Sequence, residues 1–339
     1  MCVLVAEGGT TSCQAVSEPT AAVSSVRVFL NGWLEHMRGR VRASTYDGYE
    51  SLLRCRALPG IGEICLQELH PLQLQELYSR LMVPKAAGGP GLSGGTVRNL
   101  HLVLAQALGQ AVRWRLIAVS PAAGVQPPRP RRPHRFVVDP PLLQRVVDAA
   151  ADGPLETVVA IAASTGMRRG EILALRWADV SSDRSVLHVR RTLQPTRDGL
   201  MFEHPKTSRS RRTVALPAFA GPYLDRQKLA QQRRRDVCAG WQEHDLVVDR
   251  SDGSPINPDT LSSGWRRFLK AHGLPQIRFH DLRHAHATLM LIQGVHPKVV
   301  SERLGHASVG ITLDTYSHVL PSIQNEAVDA FDRLFPIPT

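Results

Sequence analysis

Lysine is scarce in this chain. Only five of its 41 basic residues are Lys (Lys85, Lys206, Lys228, Lys270 and Lys298), so arginine carries nearly all of its positive charge. Apolar runs are also lacking. No window of 18 or more apolar residues occurs, which argues against a membrane-spanning helix, and the opening MCVLVAEGGTTSCQAV lacks the basic start and apolar core of a secretory signal. The five cysteines (Cys2, Cys13, Cys55, Cys65 and Cys238) are scattered without a CxxC pair. That pattern excludes a disulfide framework or zinc finger as a reading and suits a reducing cytoplasm. No internal repeat is present. What remains, 43% apolar and 21% charged over 339 residues, is ordinary for a globular protein with room for two cores.

The balance of charge is the first positive signal. Forty-one basic against 30 acidic residues leave a net +11. Guanidinium forks match phosphate oxygens two at a time, so an Arg-rich chain is a candidate polyanion binder. A GC-rich genome, which also inflates Ala, Gly and Pro, is the alternative source of the same bias.

Residues 1–22 are small and polar without periodicity and read as a disordered leader. From Val23 to Ala122 the pattern is helical: Val26, Phe29, Leu30 and Trp33 recur at helical spacing, and Ser44 is placed to cap a helix holding Tyr49, Leu52 and Leu53. Leu72, Leu74, Leu77 and Leu81 suggest a third helix. Ser93 suits the cap of a long fourth one running through Val97, Leu100, Leu104, Leu108 and Val112. The proline- and arginine-rich PAAGVQPPRPRRPHR then favours extended backbone, either lying along a phosphate chain or merely spacing two domains. A mixed domain follows from Phe136. Helices are expected at Pro141–Ala151 and Leu155–Ser164, a small sheet with hairpin turns from SVLHVRRTL through RRTVALP, and helices again from Pro258 onward.

Three stretches carry candidate chemistry. In HDLRHAHATLMLI, His280 and His284 stand four apart, which is metal-ligand spacing. On a helical projection Leu282, Ala285, Leu289 and Ile292 form the core stripe, His286 leans toward it, and His280, Arg283 and His284 lie opposite. No Cys is near, no Glu follows the first His as in HExxH, and Arg283 would repel a cation. His280 and Arg283 together call for an anion, so no metal site is expected. In TGMRRGEILAL, Arg168 and Glu171 stand three apart, so the carboxylate can orient the guanidinium; an ordinary surface ion pair is the bland alternative. In VHPKVVSERLGHASVGITLDTYSHVLP, Pro297 starts a helix that Gly305 ends, His306 follows at the corner, Ser308 suits the next cap, and Tyr316 arrives ten residues after His306. Two arginines, two histidines and a tyrosine suit metal-free attack on a phosphodiester. Arginine balances charge at phosphorus, tyrosine is a nucleophile, and a general acid must assist the leaving hydroxyl.

Read in order, TGMR (165–168), HDLRH (280–284), LGH (304–306) and DTYSH (314–318) resemble the motif series of the tyrosine recombinases, the lambda-integrase-like phage integrase family, in a match running from about Val23 to Pro321. The resemblance implies a fold that is mainly α with a small antiparallel β-sheet. Its parts are an all-helical, SAM-like core-binding domain at 23–122, a basic linker at 123–135, a mixed α+β catalytic domain at 136–320 and a tail helix at 321–339. It places Arg168, His280, Arg283 and His306 around a scissile phosphate, with Tyr316 as nucleophile and Glu171 and His284 in support. It also implies a lysine general acid on a β-hairpin, which HPKTSRSRRTVALP assigns to Lys206. The expected partner is double-stranded DNA, with Arg98, Arg113, Arg129, Arg131 and Arg132 as the candidate residues to grip it. The resemblance further implies a homo-tetramer in the synaptic complex, DNA-bending accessory proteins, and a reaction that needs neither cofactor, metal nor ATP. The tail's Ile323, Ala327, Ala330, Phe331 and Leu334 would dock on a neighbouring protomer or pack on their own domain. Residues 1–22 are too short for the arm-site-binding domain of many relatives, implying an enzyme that works without arm sites or a truncated start. Integration or excision of a mobile element in a bacterial cytoplasm is the expected task, with Xer-type dimer resolution or a non-catalytic DNA-binding relative as alternatives.

Overall fold

The computed structural model describes residues 24–130, 138–204 and 211–316, with 328, 332 and 333 besides; at 314–316 it gives the helix backbone. The chain divides into two compact units, Met1–Pro133 and His134–Thr339.

The first unit is helical. It comprises α1 (Val26–Met37), α2 (Ala43–Leu52), α3 (Leu58–Ile61), α4 (Pro71–Met82) and α5 (Gly94–Arg113). Ser25 and Ser93 cap α1 and α5, Ser93 Oγ accepting the Thr96 N–H at 3.2 Å. The α1 stripe of Val26, Phe29, Leu30 and Trp33 is buried with Val97, Leu100, Leu104 and Leu108 of α5 in one core. Two local expectations need correction. Arg42, not Ser44, is the residue at the N-terminus of α2, and Leu72 is 67% exposed because α4 turns Tyr78 inward beside Leu74, Leu77 and Leu81. Between α2 and α3 the helix widens to a π turn, Leu53–Ala57, in which the Leu58 N–H reaches Leu53 O; Pro59 just beyond has no N–H to continue the α pattern. After α5 a short 3₁₀ turn, Pro121–Gly124, tucks Ala122 and Val125 back into this first core.

The second unit is built around α7 (Glu156–Thr165), preceded by α6 (Pro140–Ala150). Residues 157–165 of α7 are buried on every side, as their run of small and branched apolar residues requires. Then follow α8 (Arg169–Leu173), β1 (Val186–Val189), β2 (Thr192–Thr196), β3 (Gly199–Glu203), β4 (Arg212–Ala215), α9 (Ala220–Val237), α10 (Pro258–Ala271), α11 (Asp281–Ile292), α12 (Pro297–Leu304) and α13 (Val309–Tyr316).

Instead of a single small sheet there are two antiparallel ladders, β1 with β4 and β2 with β3. The chain leaves one ladder for the other at Arg190 and Arg191. Arg191 pins that step by donating to Ala174 O at 3.1 Å while its guanidinium lies 4.9 Å from the Phe202 ring centre. The core unites α6, α7, the strands and α10, with Trp265 fully buried and its indole N–H on Ile277 O at 2.8 Å. A smaller apolar cluster (Ala287, Leu291, Val300 and Leu304) joins α11 to α12. Among the described residues no helix is long and apolar enough to cross a membrane.

Candidate active site

Two helix ends make the site. Both α7 and α12 stop at a glycine in the left-handed region, Gly166 at φ +63° and Gly305 at φ +68°, where a Cβ is strained. Space opposes one as well. A Cβ on Gly166 would lie 2.7 Å from Leu304 Cδ2, and one on Gly305 would lie 2.9 Å from Arg212 Nη1. The chain turns sharply at each, and the carbonyls around the turns become acceptors for buried guanidinium groups.

Arg283, on the first turn of α11, is 3% exposed. It donates from Nη1 to Gly166 O and from Nη2 to Leu304 O, both at 2.7 Å, clamping the two ends together. Arg168, just ahead of α8, donates from Nη2 to Gly305 O at 3.3 Å, and its side chain stays 41% exposed. The next residue is His306. The two arginines and this histidine, far apart along the chain, thus meet on three consecutive residues.

Glu171 organises the arginines. Its carboxylate accepts the backbone N–H of Arg168 at 3.0 Å and Arg168 Nη1 at 2.8 Å. It also takes Arg212 Nη2 at 2.9 Å and Nη1 at 3.3 Å. Burial pushes its carboxyl upward, but Arg212 and Arg168 outweigh burial and hold it below its ordinary value. A surface ion pair at Arg168–Glu171 is thereby ruled out, since Glu171 is only 3% exposed.

Arg212, at the start of β4, is the site residue that sequence motifs did not single out. Its side chain is 6% exposed, and besides Glu171 it holds Arg303 O through Nε at 2.6 Å. Arg303 in turn donates to His286 Nε2 at 3.0 Å and Ser164 O at 2.7 Å. Since Nε2 accepts, His286 carries its proton on Nδ1, which faces Ala163 O at 2.8 Å. His286 is therefore structural, as its lean toward the apolar stripe suggests.

The helical projection of α11 needs correction at Ile292, which is 55% exposed and not in the core; Arg283, opposite the Leu282 stripe, is buried as well. This helix has neighbours on both sides: α7 and α6 take Leu282 and Ala285, and α12 takes Ala287 and Leu291. A single apolar stripe was the wrong template for a helix packed between elements.

His280 precedes α11 at the open edge of the site, its ring 5.0 Å from that of His284 and edge-on to it. Partial burial, then Arg283 and Arg168, lower its pKa. His306 lies deeper. Its Nδ1 is 2.8 Å from Thr312 Oγ1, and burial, with Arg283 and Arg168 next, pushes its pKa down to about 4. Among the described residues, no three His, Cys, Asp or Glu side chains gather in a metal-holding arrangement. Beside His280 opens a cleft of about 520 Å³ whose lining includes Arg169, Arg266 and Arg278.

Lys206, Arg131, Arg132 and the tail residues Ile323, Ala327, Ala330, Phe331 and Leu334 lie outside the described residues, as does the 1–22 segment. Tyr316 ends α13, described by its backbone alone. In the first unit Arg98 and Arg113 are exposed on α5, Arg113 tied to Gln110 Oε1 at 2.6 Å, and Arg129 is exposed as well. Fifteen residues apart, Arg98 and Arg113 stand about 60° apart in azimuth and about 22 Å along the axis.

Residues 140–322 match the phage integrase family, and residues 26–82 match the N-terminal SAM-like domain of phage integrases. The ICEBs1 integrase of Bacillus subtilis is 30% identical over 72% of this chain and 67% of its own length. A tyrosine recombinase described as XerC-like, from Caldanaerobacter subterraneus subsp. tengcongensis, is 27% identical over 86% of this chain and 77% of its own. Among solved structures, the Tn1549 transposon integrase bound to transposon right end DNA superposes with a TM-score of 0.75 at 18% identity, covering 91% of this chain and 99% of that one. A lambda integrase tetramer bound to a Holliday junction gives 0.63 at 18% identity, over 84% and 78%. At these identities the structural likeness speaks for the fold.

Proposed function

This chain belongs to the phage integrase family of tyrosine recombinases, and from that membership we propose that Tyr316 attacks a scissile DNA phosphate held by Arg168, Arg283, His280 and His306. The observation that carries the proposal is electrostatic. Arg168, Arg212, Arg283 and Arg303 gather at the Gly166 and Gly305 turns, and among the described residues Glu171 is a carboxylate that Arg168 and Arg212 share. Such an excess of positive charge is completed by an anion, and a phosphodiester approaching its transition state has the geometry that guanidinium forks match.

In the reaction, Tyr316 gives up its hydroxyl proton to water, and its oxygen forms a bond to phosphorus as the bond to the 5′-oxygen breaks. Lys206 protonates that oxygen, leaving a 3′-phosphotyrosyl link. Because the link conserves the bond energy, a 5′-hydroxyl from a partner duplex reseals it without ATP or metal. Glu171 keeps Arg168 in place, and His284 backs His280. Arg98, Arg113, Arg129, Arg131 and Arg132 grip the duplex flanks.

The working form in this reading is a homo-tetramer on paired core sites, aided by DNA-bending proteins, in the bacterial cytoplasm. Lambda integrase is seen as a tetramer bound to a Holliday junction. Integration and excision of a mobile element is favoured over Xer-type dimer resolution because ITLDTYSHVLP and the basic linker suit it, and the ICEBs1 relative points the same way. A duplex nicked beside the cleavage position tests the reading: wild type should accumulate a covalent protein–DNA adduct equally well with and without EDTA. A wild type that forms none, or a Tyr316→Phe variant that still does, overturns it.

A further inference from the structure

His306 is held at both ends. Its backbone N–H donates to Ser301 O at 3.0 Å behind the Gly305 turn, and its ring touches Thr312 Oγ1 through Nδ1 at 2.8 Å. Thr312 is 0% exposed, and a buried hydroxyl must place its proton on an acceptor. Threonine in a helix commonly uses the carbonyl four residues back, as Thr165 does with Ile161 O at 2.5 Å. For Thr312 that carbonyl belongs to Ser308, which faces the Ser301 hydroxyl at 3.4 Å. Among the described residues the one partner of the Thr312 hydroxyl is His306 Nδ1.

We infer that Thr312 is a positioning residue whose hydroxyl donates to His306 Nδ1, places the ring proton on Nε2, and so presents His306 to the scissile phosphate as a neutral hydrogen-bond donor. The inference rests on the reading of the preceding subsection and adds a role to it: His306 stabilises charge on the phosphate and does not serve as the base that takes up a proton. Its surroundings agree, since burial and the nearby Arg283 and Arg168 disfavour an imidazolium. A neutral imidazole held in one tautomer still donates one strong hydrogen bond. The arrangement also links two parts of the site. Thr312 lies one helical turn before Tyr316 on α13, so the bond that sets the His306 tautomer also docks the helix that carries the nucleophile.

The test uses the full chain with ¹⁵N-labelled histidine and the nicked duplex. The His306 signal is identified by its loss in a His306→Gln variant, and the protonated ring nitrogen is read directly. Wild type should carry the proton on Nε2. Thr312→Val, which removes the hydroxyl at nearly constant volume, should lose the single tautomer and slow adduct formation about tenfold, whereas Thr312→Ser should stay within about threefold of wild type. A wild-type proton on Nδ1, or a Thr312→Val variant that cleaves at the wild-type rate, overturns the inference. If Thr312→Val does not fold, as circular dichroism would show, the wild-type tautomer still decides the matter. Absence of any wild-type adduct is a different failure, that of the strand-transfer reading itself, and it is visible before a variant is compared.

Discussion

At the scale of single residues, the site is a set of guanidinium groups whose positions are dictated by what they cannot leave unpaired. Arg212 shows this most clearly. Replacing it with Leu removes one cation from a buried pair and strips Arg303 O of its donor. The expected cost is about 3–5 kcal/mol in urea unfolding, with adduct formation falling further than DNA binding. A loss below about 1 kcal/mol would contradict the network.

His286 makes a second prediction. Burial lowers its pKa from the ordinary 6.5 to about 4, so between those values the unfolded chain takes up a proton that the folded chain refuses. Its contribution to stability is complete above about pH 6.5 and drains away as pH falls toward 4. Urea midpoints at pH 7, 6 and 5 should therefore decline. A His286→Gln variant should start lower and decline less steeply, and an equal slope would count against the assignment.

The sequence brings Arg168, Glu171, Arg283 and His306 forward as candidates only when the motifs are read as a series, each motif alone being weak, and the structure gathers these four at the two glycine turns. Arg212 is not among those candidates. Its role exists only once β4 returns against α8 and α12, and its local signal is no more than the paired arginines at the start of a strand.

At the scale of elements, the two left-handed glycines hold the site together. Gly166→Ala should cost about 2 kcal/mol or more, since backbone strain adds to a collision with Leu304 and His286. Gly305→Ala should do the same by displacing Arg212. Both are measured by chemical denaturation, and an unchanged midpoint in either would show that the turn does not depend on glycine. In the first unit α1, α4 and α5 are readable because each buries an apolar stripe in a common core, and α7 because its apolar run has no polar face. α11 was misread for the opposite reason: with neighbours on two sides, its periodicity mixes core and site positions. The two ladders were beyond reach of the pattern, because β1 and β2 are two residues apart in sequence yet pair with different partners.

At the scale of the whole molecule, net charge sets the terms of DNA binding. Affinity should fall steeply with salt, and Arg98→Ala and Arg113→Ala should each lower the slope of log K against log salt by about one, without changing the preferred sequence. A slope unaffected by either variant would remove α5 from the DNA-contacting surface. Strand transfer as a whole stands on Tyr316. Digesting the adduct trapped on a nicked core-site duplex and sequencing the DNA-linked peptide by mass spectrometry tests it most directly. The prediction is a 3′-phosphate ester on Tyr316 with the 5′-hydroxyl end released, and a nucleotide on any other side chain would contradict it.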